Sequence, residues 1–432
     1  MEKNSFKPAV GKLSTGDPIE FAFKGKNMHG EFVKEEESFL LIKLSSGYDI
    51  AVPKNEIKII KAIKSGIARK EKNAGEEKPE KNPDIVIVTT GGTISSKIDY
   101  ETGGVSPTVP SDYYFNLAPK MRDYGKIAIK PIMSVLSENM QPSDWIKIAS
   151  AVKDAIDGGA KGVVVTMGTD TMHYAASAMS FLLNPLSVPV VFTGAQRSVD
   201  RGSSDASTNL LLSVIAASKW DGGESVICMH SDLNDNHNFI LRGNKARKMH
   251  TERRDTFRPI NSKPLGEVYL DGTIKTVSDY IRKADKTKLD TKLDTNVKLL
   301  ISYPSMGGDI IEYYLSKGVH GLVIAATGFG NLPLEDKTIY KALLSANKKN
   351  IPLVITSQAL YGSTNSFVYS TLREMSKFDN IIYVGDMTTE TAFVKLMHVL
   401  GHTRQIDKVK QMMQSNMAGE ISDRSQIDTF LI

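Results

Sequence analysis

One cysteine in 432 residues, Cys228, rules out an intrachain disulfide and any metal centre built from several thiolates, so the fold must hold by packing alone. Long apolar runs are missing as well. None approaches the ~18 residues that a membrane-spanning helix needs, and the start, Met1-Glu2-Lys3-Asn4-Ser5, is charged where a secretory signal would be apolar. A cytoplasmic protein without membrane contact is expected. There is no G-x-x-x-x-G-K-[ST] loop, and the single G-x-G at 328–330 is too weak to claim a nucleotide. His173, His250 and His398 each lack a second ligand at a useful spacing and read as helix-packing or surface residues, so no metal is expected. Nor does one sign of charge dominate: 54 Lys and Arg against 49 Asp and Glu give +5, which permits a polyanionic partner without requiring one.

What is present is ordinary for a soluble globular chain, 41% hydrophobic and 24% charged, at a length that exceeds a single core. Residues 1–63 carry short strand-like runs, among them Ile19–Phe23, Met28–Val33, Ser38–Leu44 and Tyr48–Val52, separated by turns. They predict a small all-β, barrel-like domain. Residues 64–83 are charged and nearly devoid of apolar side chains, and read as a flexible linker. From Asp84 the pattern alternates buried strands with amphipathic helices, which predicts α/β architecture with a mostly parallel sheet. The number of strands implies two lobes, 84–285 and 286–432, with a hairpin around Tyr269–Lys275 near their join.

Two turns stand out because each follows an apolar run that reads as a buried parallel strand. Thr90-Gly91-Gly92-Thr93 follows Asp84–Thr89, and Met167-Gly168-Thr169-Asp170 follows Gly162–Thr166. Open α/β sheets bind ligands at the carboxyl ends of their strands, so the two turns are expected to deliver hydroxyls to one crevice. A threonine hydroxyl is a poor nucleophile until a base shares its proton. Tyr100 is a candidate partner for Thr93, or else a partly buried loop aromatic. Thr169 and Asp170 could simply cap the helix that begins near Thr171. Alternatively, Lys248, with Arg247 beside it, meets Thr169 and takes its proton while Asp170 orients the pair. Lys248 lies in a basic stretch with Arg242, Lys245, Arg247, Arg253, Arg254 and Arg258, whose plainest reading is a loop of ion pairs.

The two turns, Thr193-Gly194-Ala195-Gln196-Arg197-Ser198 with Ser204-Asp205, Ala246-Arg247-Lys248-Met249-His250, and the later Tyr303-Pro304-Ser305-Met306, Ala326–Asn331, Thr356-Ser357-Gln358 and Asp386–Ala392 occur in the order seen in the asparaginase/glutaminase family, which residues 84–432 resemble. The resemblance implies a two-lobed asparaginase-like fold, Thr93 as nucleophile with Tyr100 as its activator, and Thr169, Asp170 and Lys248 as a second catalytic group. It also implies that Ser137 and Glu138 grip the amino acid's α-carboxylate and amine, and that Asn331 is lent to a neighbouring subunit's site in a homodimer or larger assembly. With the amino-terminal module and linker included, the chain resembles the D-subunit family of archaeal glutamyl-tRNA(Gln) amidotransferases. That implies hydrolysis of glutamine or asparagine to supply ammonia to an E subunit, which binds Glu-tRNA(Gln) and uses ATP and Mg to make Gln-tRNA(Gln), with no cofactor bound by this chain. The alternative is a stand-alone L-asparaginase carrying an accessory β-domain.

Overall fold

The computed structural model describes residues 13, 17–44, 49–62, 82–92, 94, 97, 98, 105, 106, 111–199 and 203–431. Strands β1 (Pro18–Phe23), β2 (Lys26–Glu35), β3 (Phe39–Leu44), β4 (Asp49–Pro53) and β5 (Ile57–Ala62) form an antiparallel sheet in the order β4-β3-β2-β1-β5. The chain returns so that its last strand pairs with its first. Alternation puts Ile19, Phe21, Leu40, Ile42, Val52, Ile57 and Ile59 on one buried face, which is the period-2 pattern a half-buried sheet demands. The sequence reading missed β5, whose Lys58 and Lys61 dilute its apolar signal.

The larger part of the chain is α/β. Its first lobe contains β6 (Ile85–Thr89), the two-residue strands β7 (Lys97–Ile98) and β8 (Val105–Ser106), helix α1 (Ser111–Leu117), β9 (Ile127–Pro131), α2 (Pro142–Asp157), β10 (Gly162–Thr166), α3 (Met172–Leu182), β11 (Val190–Thr193), α4 (Ala206–Lys219), β12 (Ser225–His230), β13 (His237–Arg242), β14 (Ala246–Lys248), β15 (Phe257–Pro259), β16 (Gly266–Tyr269) and β17 (Ile274–Thr276). Eight of these strands make one sheet, β17-β16-β13-β12-β11-β10-β6-β9; β6 and β9 through β12 run parallel, and β13, β16 and β17 extend it antiparallel. Every residue of β6, β10, β11 and β12 is buried, as expected for strands covered on both faces. The hairpin read near the lobe join is β16–β17, at the edge of this sheet. Sequence reasoning passed over α1, β13 and the β14–β15 ribbon, short elements whose polar residues mask their periodicity.

The second lobe holds β18 (Val297–Ile301), α5 (Asp309–Ser316), β19 (Gly321–Ala326), α6 (Lys337–Lys348), β20 (Leu353–Ser357), α7 (Ser370–Met375), β21 (Ile381–Tyr383), α8 (Thr389–Leu400) and α9 (Ile406–Gln414), with its four strands parallel in sequence order. Thr388 caps α8 by accepting from the Thr391 N–H. The lobes share a core. Residues of α2 and α3 such as Trp145, Ala175 and Met179 pack in one apolar cluster with Val323, Val354, Ala392 and Leu396 of the second lobe. Apolar surface buried in that shared cluster, at about 25 cal/mol per Å², favours the two lobes holding together. Among the described residues no helix is long and apolar enough to cross a membrane.

Candidate active site

The loops after β6, β9 and β10 meet because neighbouring parallel strands end at the same level: Thr89 pairs with Thr166 and with Pro131. Thr90 stitches them together, donating both its N–H and its hydroxyl to the Thr166 carbonyl at 3.0 Å, while its own carbonyl accepts from the Val135 N–H at 2.8 Å. The β6 loop can pass between its neighbours only as glycine. Gly91 (φ +105°) and Gly92 (φ +85°) occupy left-handed conformations, and a Cβ on Gly92 would fall 2.2 Å from the Gly168 nitrogen. The two turns singled out from sequence therefore touch, backbone against backbone. Thr93 and Tyr100 lie outside the described residues.

At the β10 turn the Lys248 ammonium, carried on β14, donates to the Thr169 hydroxyl and to Asp170 Oδ1, each at 2.8 Å. Side chains 78 and 79 residues apart in sequence thus form one hydrogen-bonded group. The Asp170 carboxyl is held below the usual carboxylate range, chiefly by its hydrogen bond from Lys248, with burial opposing and the Ser137 hydroxyl assisting from 3.3 Å. Arg247 turns away to Glu390 at 3.1 Å. Behind this group His173 is buried and uncharged: desolvation first, then Arg247 and Lys248, lower its pKa to about 3. A cavity of about 360 Å³ opens here, lined by Asp170, His173, Tyr174, Arg247, Lys248 and Glu390 among others.

The capping alternative for Thr169 and Asp170 is not what the structure adopts. Helix α3 is capped from Thr171, without a side-chain cap bond, and the Thr171 hydroxyl donates instead to the Ser137 carbonyl at 2.7 Å. Ser137 sits buried in the β9 loop with its hydroxyl turned to Asp170, whereas Glu138 beside it is exposed. Asn331 stands apart from this group, in a turn of the second lobe after β19, where its side chain accepts from the Thr371 hydroxyl at 3.2 Å and bonds the Thr327 carbonyl at 3.4 Å. The structure thus joins Thr169, Asp170, Lys248 and Ser137, and leaves Glu138 and Asn331 outside that hydrogen-bonded group.

The amino-terminal asparaginase family model matches residues 84–282, and the glutaminase/asparaginase carboxyl-terminal domain model matches 296–413. The D subunit of the glutamyl-tRNA(Gln) amidotransferase from Sulfolobus acidocaldarius is 39% identical over 95% of this chain and 92% of its own length. That from Methanobrevibacter smithii is 42% identical over 92% and 90%. The chain belongs to the D-subunit family of glutamyl-tRNA(Gln) amidotransferases. The L-asparaginase of Thermococcus kodakarensis shares the fold at a TM-score of 0.71 and 29% identity, covering 99% of that enzyme but 79% of this chain.

Several motifs of the D-subunit sequence turn out to be scaffolding. Asp205 accepts from the Gln196 and Arg197 N–H groups and from Asn209, at 2.9–3.1 Å, and so pins the loop after β11; burial pushes its carboxyl up. Asp386 accepts from the buried Lys245 ammonium at 2.6 Å and from the Ser422 N–H at 2.9 Å, anchoring the turn just before Lys248 to the second lobe. Each of the seven basic residues is paired: Arg242 with Glu224, Lys245 with Asp386, Arg247 with Glu390, Lys248 with Asp170, Arg253 and Arg258 with Asp255, and Arg254 with Asp235. The ion-pair reading of this stretch is what the structure shows. Ser137's contact to Asp170 was not legible, because nothing in a sequence reports that the β9 loop reaches over the β10 turn.

Proposed function

We propose that this chain is the amide-hydrolysing subunit of a tRNA-dependent amidotransferase, converting glutamine and water to glutamate and ammonia. The ammonia then passes to an E subunit that amidates Glu-tRNA(Gln). One observation carries the reading: the Thr169–Lys248–Asp170 group stands at the carboxyl ends of the parallel strands of an asparaginase fold, on a chain that matches D subunits over about nine-tenths of its length.

In this reading Thr93 attacks the side-chain amide carbon, with Tyr100 sharing its proton. Thr169, polarised by Lys248 and with Asp170 fixing the ammonium, handles the proton that the leaving ammonia and the attacking water require. Loss of ammonia leaves an ester on the threonine, which water hydrolyses. Glu138, exposed at the mouth of the β9 loop, and Ser137 recognise the α-amine and α-carboxylate of the substrate. Asparagine is the other candidate amide donor. A cytoplasmic homodimer or larger assembly supplies Asn331 to a neighbouring site; exposed Phe329, Phe367 and Tyr369 around that turn, with Phe329 and Tyr369 in ring contact, suit an interface. ATP and Mg act on the partner subunit, and no cofactor is needed for the hydrolysis itself.

The stand-alone L-asparaginase reading accounts for less of the chain. Asparaginase structures cover 77–79% of it, and D subunits cover up to 98%. The test is glutamine hydrolysis by the purified chain, alone and with E subunit, ATP, Mg and Glu-tRNA(Gln). The expected outcome is slow turnover that rises at least tenfold on addition, with Gln-tRNA(Gln) formed. Equal rates with and without the additions would overturn the coupling.

A further inference from the structure

Far along α8 from Glu390, the structure gathers three side chains of metal-ligating type that lie outside the hydrolytic site. One donor atom each from Asp290, His398 and His402 lies within 4.8 Å of the others. His398 lies in the last turn of α8 and His402 four residues on, in the turn that follows the helix, with the two imidazoles at a ring-centre distance of 4.6 Å. Asp290 comes from the segment between the lobes. Its N–H donates to the carbonyl of Leu182, at the end of α3, and the N–H of Asp294 in the same segment donates to the Met397 carbonyl; both distances are 2.8 Å. A Cβ on Gly401 would meet the Lys292 carbonyl at 2.7 Å, which shows how closely the segment lies on the helix end.

Both ring nitrogens of His402 have a partner. Its Nδ1 lies 2.8 Å from the His398 carbonyl, and a carbonyl can only accept, so Nδ1 carries the proton. In the neutral ring Nε2 then presents a lone pair, and it faces a carboxylate oxygen of Asp290 at 2.6 Å. Two acceptors at that distance require a positive species shared between them, either a proton or a metal ion. A proton shared by that pair would leave a nitrogen of the third group unsatisfied: His398 stacks on Phe181 and is only 5% exposed, and its Nδ1 has no hydrogen-bond partner among the described residues. A cation held by all three gives that imidazole a purpose.

We propose that Asp290, His398 and His402 bind a divalent transition-metal ion of the zinc class, with water in the fourth position. Two imidazoles and one carboxylate are a borderline donor set that suits such ions. A tetrahedral ion ~2.0–2.1 Å from each donor spaces the donors by roughly 3.3 Å, so the Asp290–His402 contact opens by under ~1 Å. Both of those side chains are partly exposed, at 38% and 25%, which leaves an entry path and room for the water. The ion would clamp the ends of α3 and α8 to the segment joining the lobes.

The test uses the full-length, tag-free chain after chelator dialysis, titrated with Co²⁺ and then Zn²⁺. The expected result is one Co²⁺ per chain with the visible bands of a tetrahedral nitrogen–oxygen site, displaced by Zn²⁺, and a Tm that rises with Zn²⁺. His402→Gln and Asp290→Asn, both at partly exposed positions, should fold normally by circular dichroism, weaken binding at least tenfold and lose the Tm response. Absence of the bands in the folded wild-type chain at stoichiometric Co²⁺ would overturn the proposal in favour of a histidine–aspartate ion pair. Unchanged affinity in both variants would overturn it equally, since the ion would then sit elsewhere.

Discussion

Lys248 donates hydrogen bonds to both Thr169 and Asp170, which makes it the side chain to substitute first. Lys248→Met keeps most of the stem's packing and deletes the charge, so the fold should survive while kcat/KM for glutamine falls by at least 10²-fold, read by ammonia release. Lys248→Arg should not restore it, since a planar fork cannot replace a point charge meeting a hydroxyl and a carboxylate together. Asp170 also fixes a pH dependence. Its folded-state pKa is depressed, so its contribution to stability is complete above the ordinary value near 4 and is lost as pH falls through the lower folded value. The acidic limb of the activity profile should therefore lie below roughly pH 4; a midpoint near 6 would assign that limb to another group. That Lys248 meets Thr169 and Asp170 was legible from the turn after a buried strand and from the basic stretch that carries the lysine, while Thr93 lies outside the described residues. The contact that binds Ser137 to Asp170 was not, since loop reach depends on the whole path from β9 to α2.

At the scale of elements, crossing loops and buried pairs hold the site in place. Gly92 is the tightest point: a methyl there would meet Gly168 backbone at 2.2 Å in a left-handed conformation. Gly92→Ala should cost ~1–3 kcal/mol in chemical denaturation and abolish hydrolysis, whereas Gly159→Ala, with open space around its Cβ, should lose stability but leave turnover alone. The β14–β15 ribbon that carries Lys248 is tied by Asp255, whose side chain is 1% exposed and accepts from Arg253 and Arg258. Asp255→Asn should destabilise by roughly 3 kcal/mol at neutral pH, with the difference from wild type shrinking in acid as the native carboxylate itself is protonated. A loss that stays constant from pH 7 to 3 would contradict that account. The parallel strands were readable because burial on both faces leaves an unbroken apolar run. The antiparallel strands β13, β16 and β17 were harder, because no more than half of their residues are buried.

For the whole molecule, the sequence pattern separated a β module from an α/β body, and the structure describes a five-stranded antiparallel sheet followed by two sheets with a common core. What sequence could not convey is the degree to which the lobes are fused, since contacts such as Ser177 with Thr391 and Lys245 with Asp386 join residues more than 140 positions apart. Deleting residues 1–82 should leave that fused body folded and hydrolytic but unable to assemble with the E subunit, as followed by size-exclusion chromatography of the mixture. Assembly without the module would assign the docking surface to the α/β body instead. Thr169, gripped by Lys248 beside Asp170, is the side chain on which the proposed amide hydrolysis turns. Thr169→Val is near-isosteric and removes only the hydroxyl, so steady-state glutamine hydrolysis by that variant tests the claim most directly. The account predicts a fall in kcat of at least 10³-fold with the fold intact by circular dichroism; turnover within twofold of wild type would contradict it.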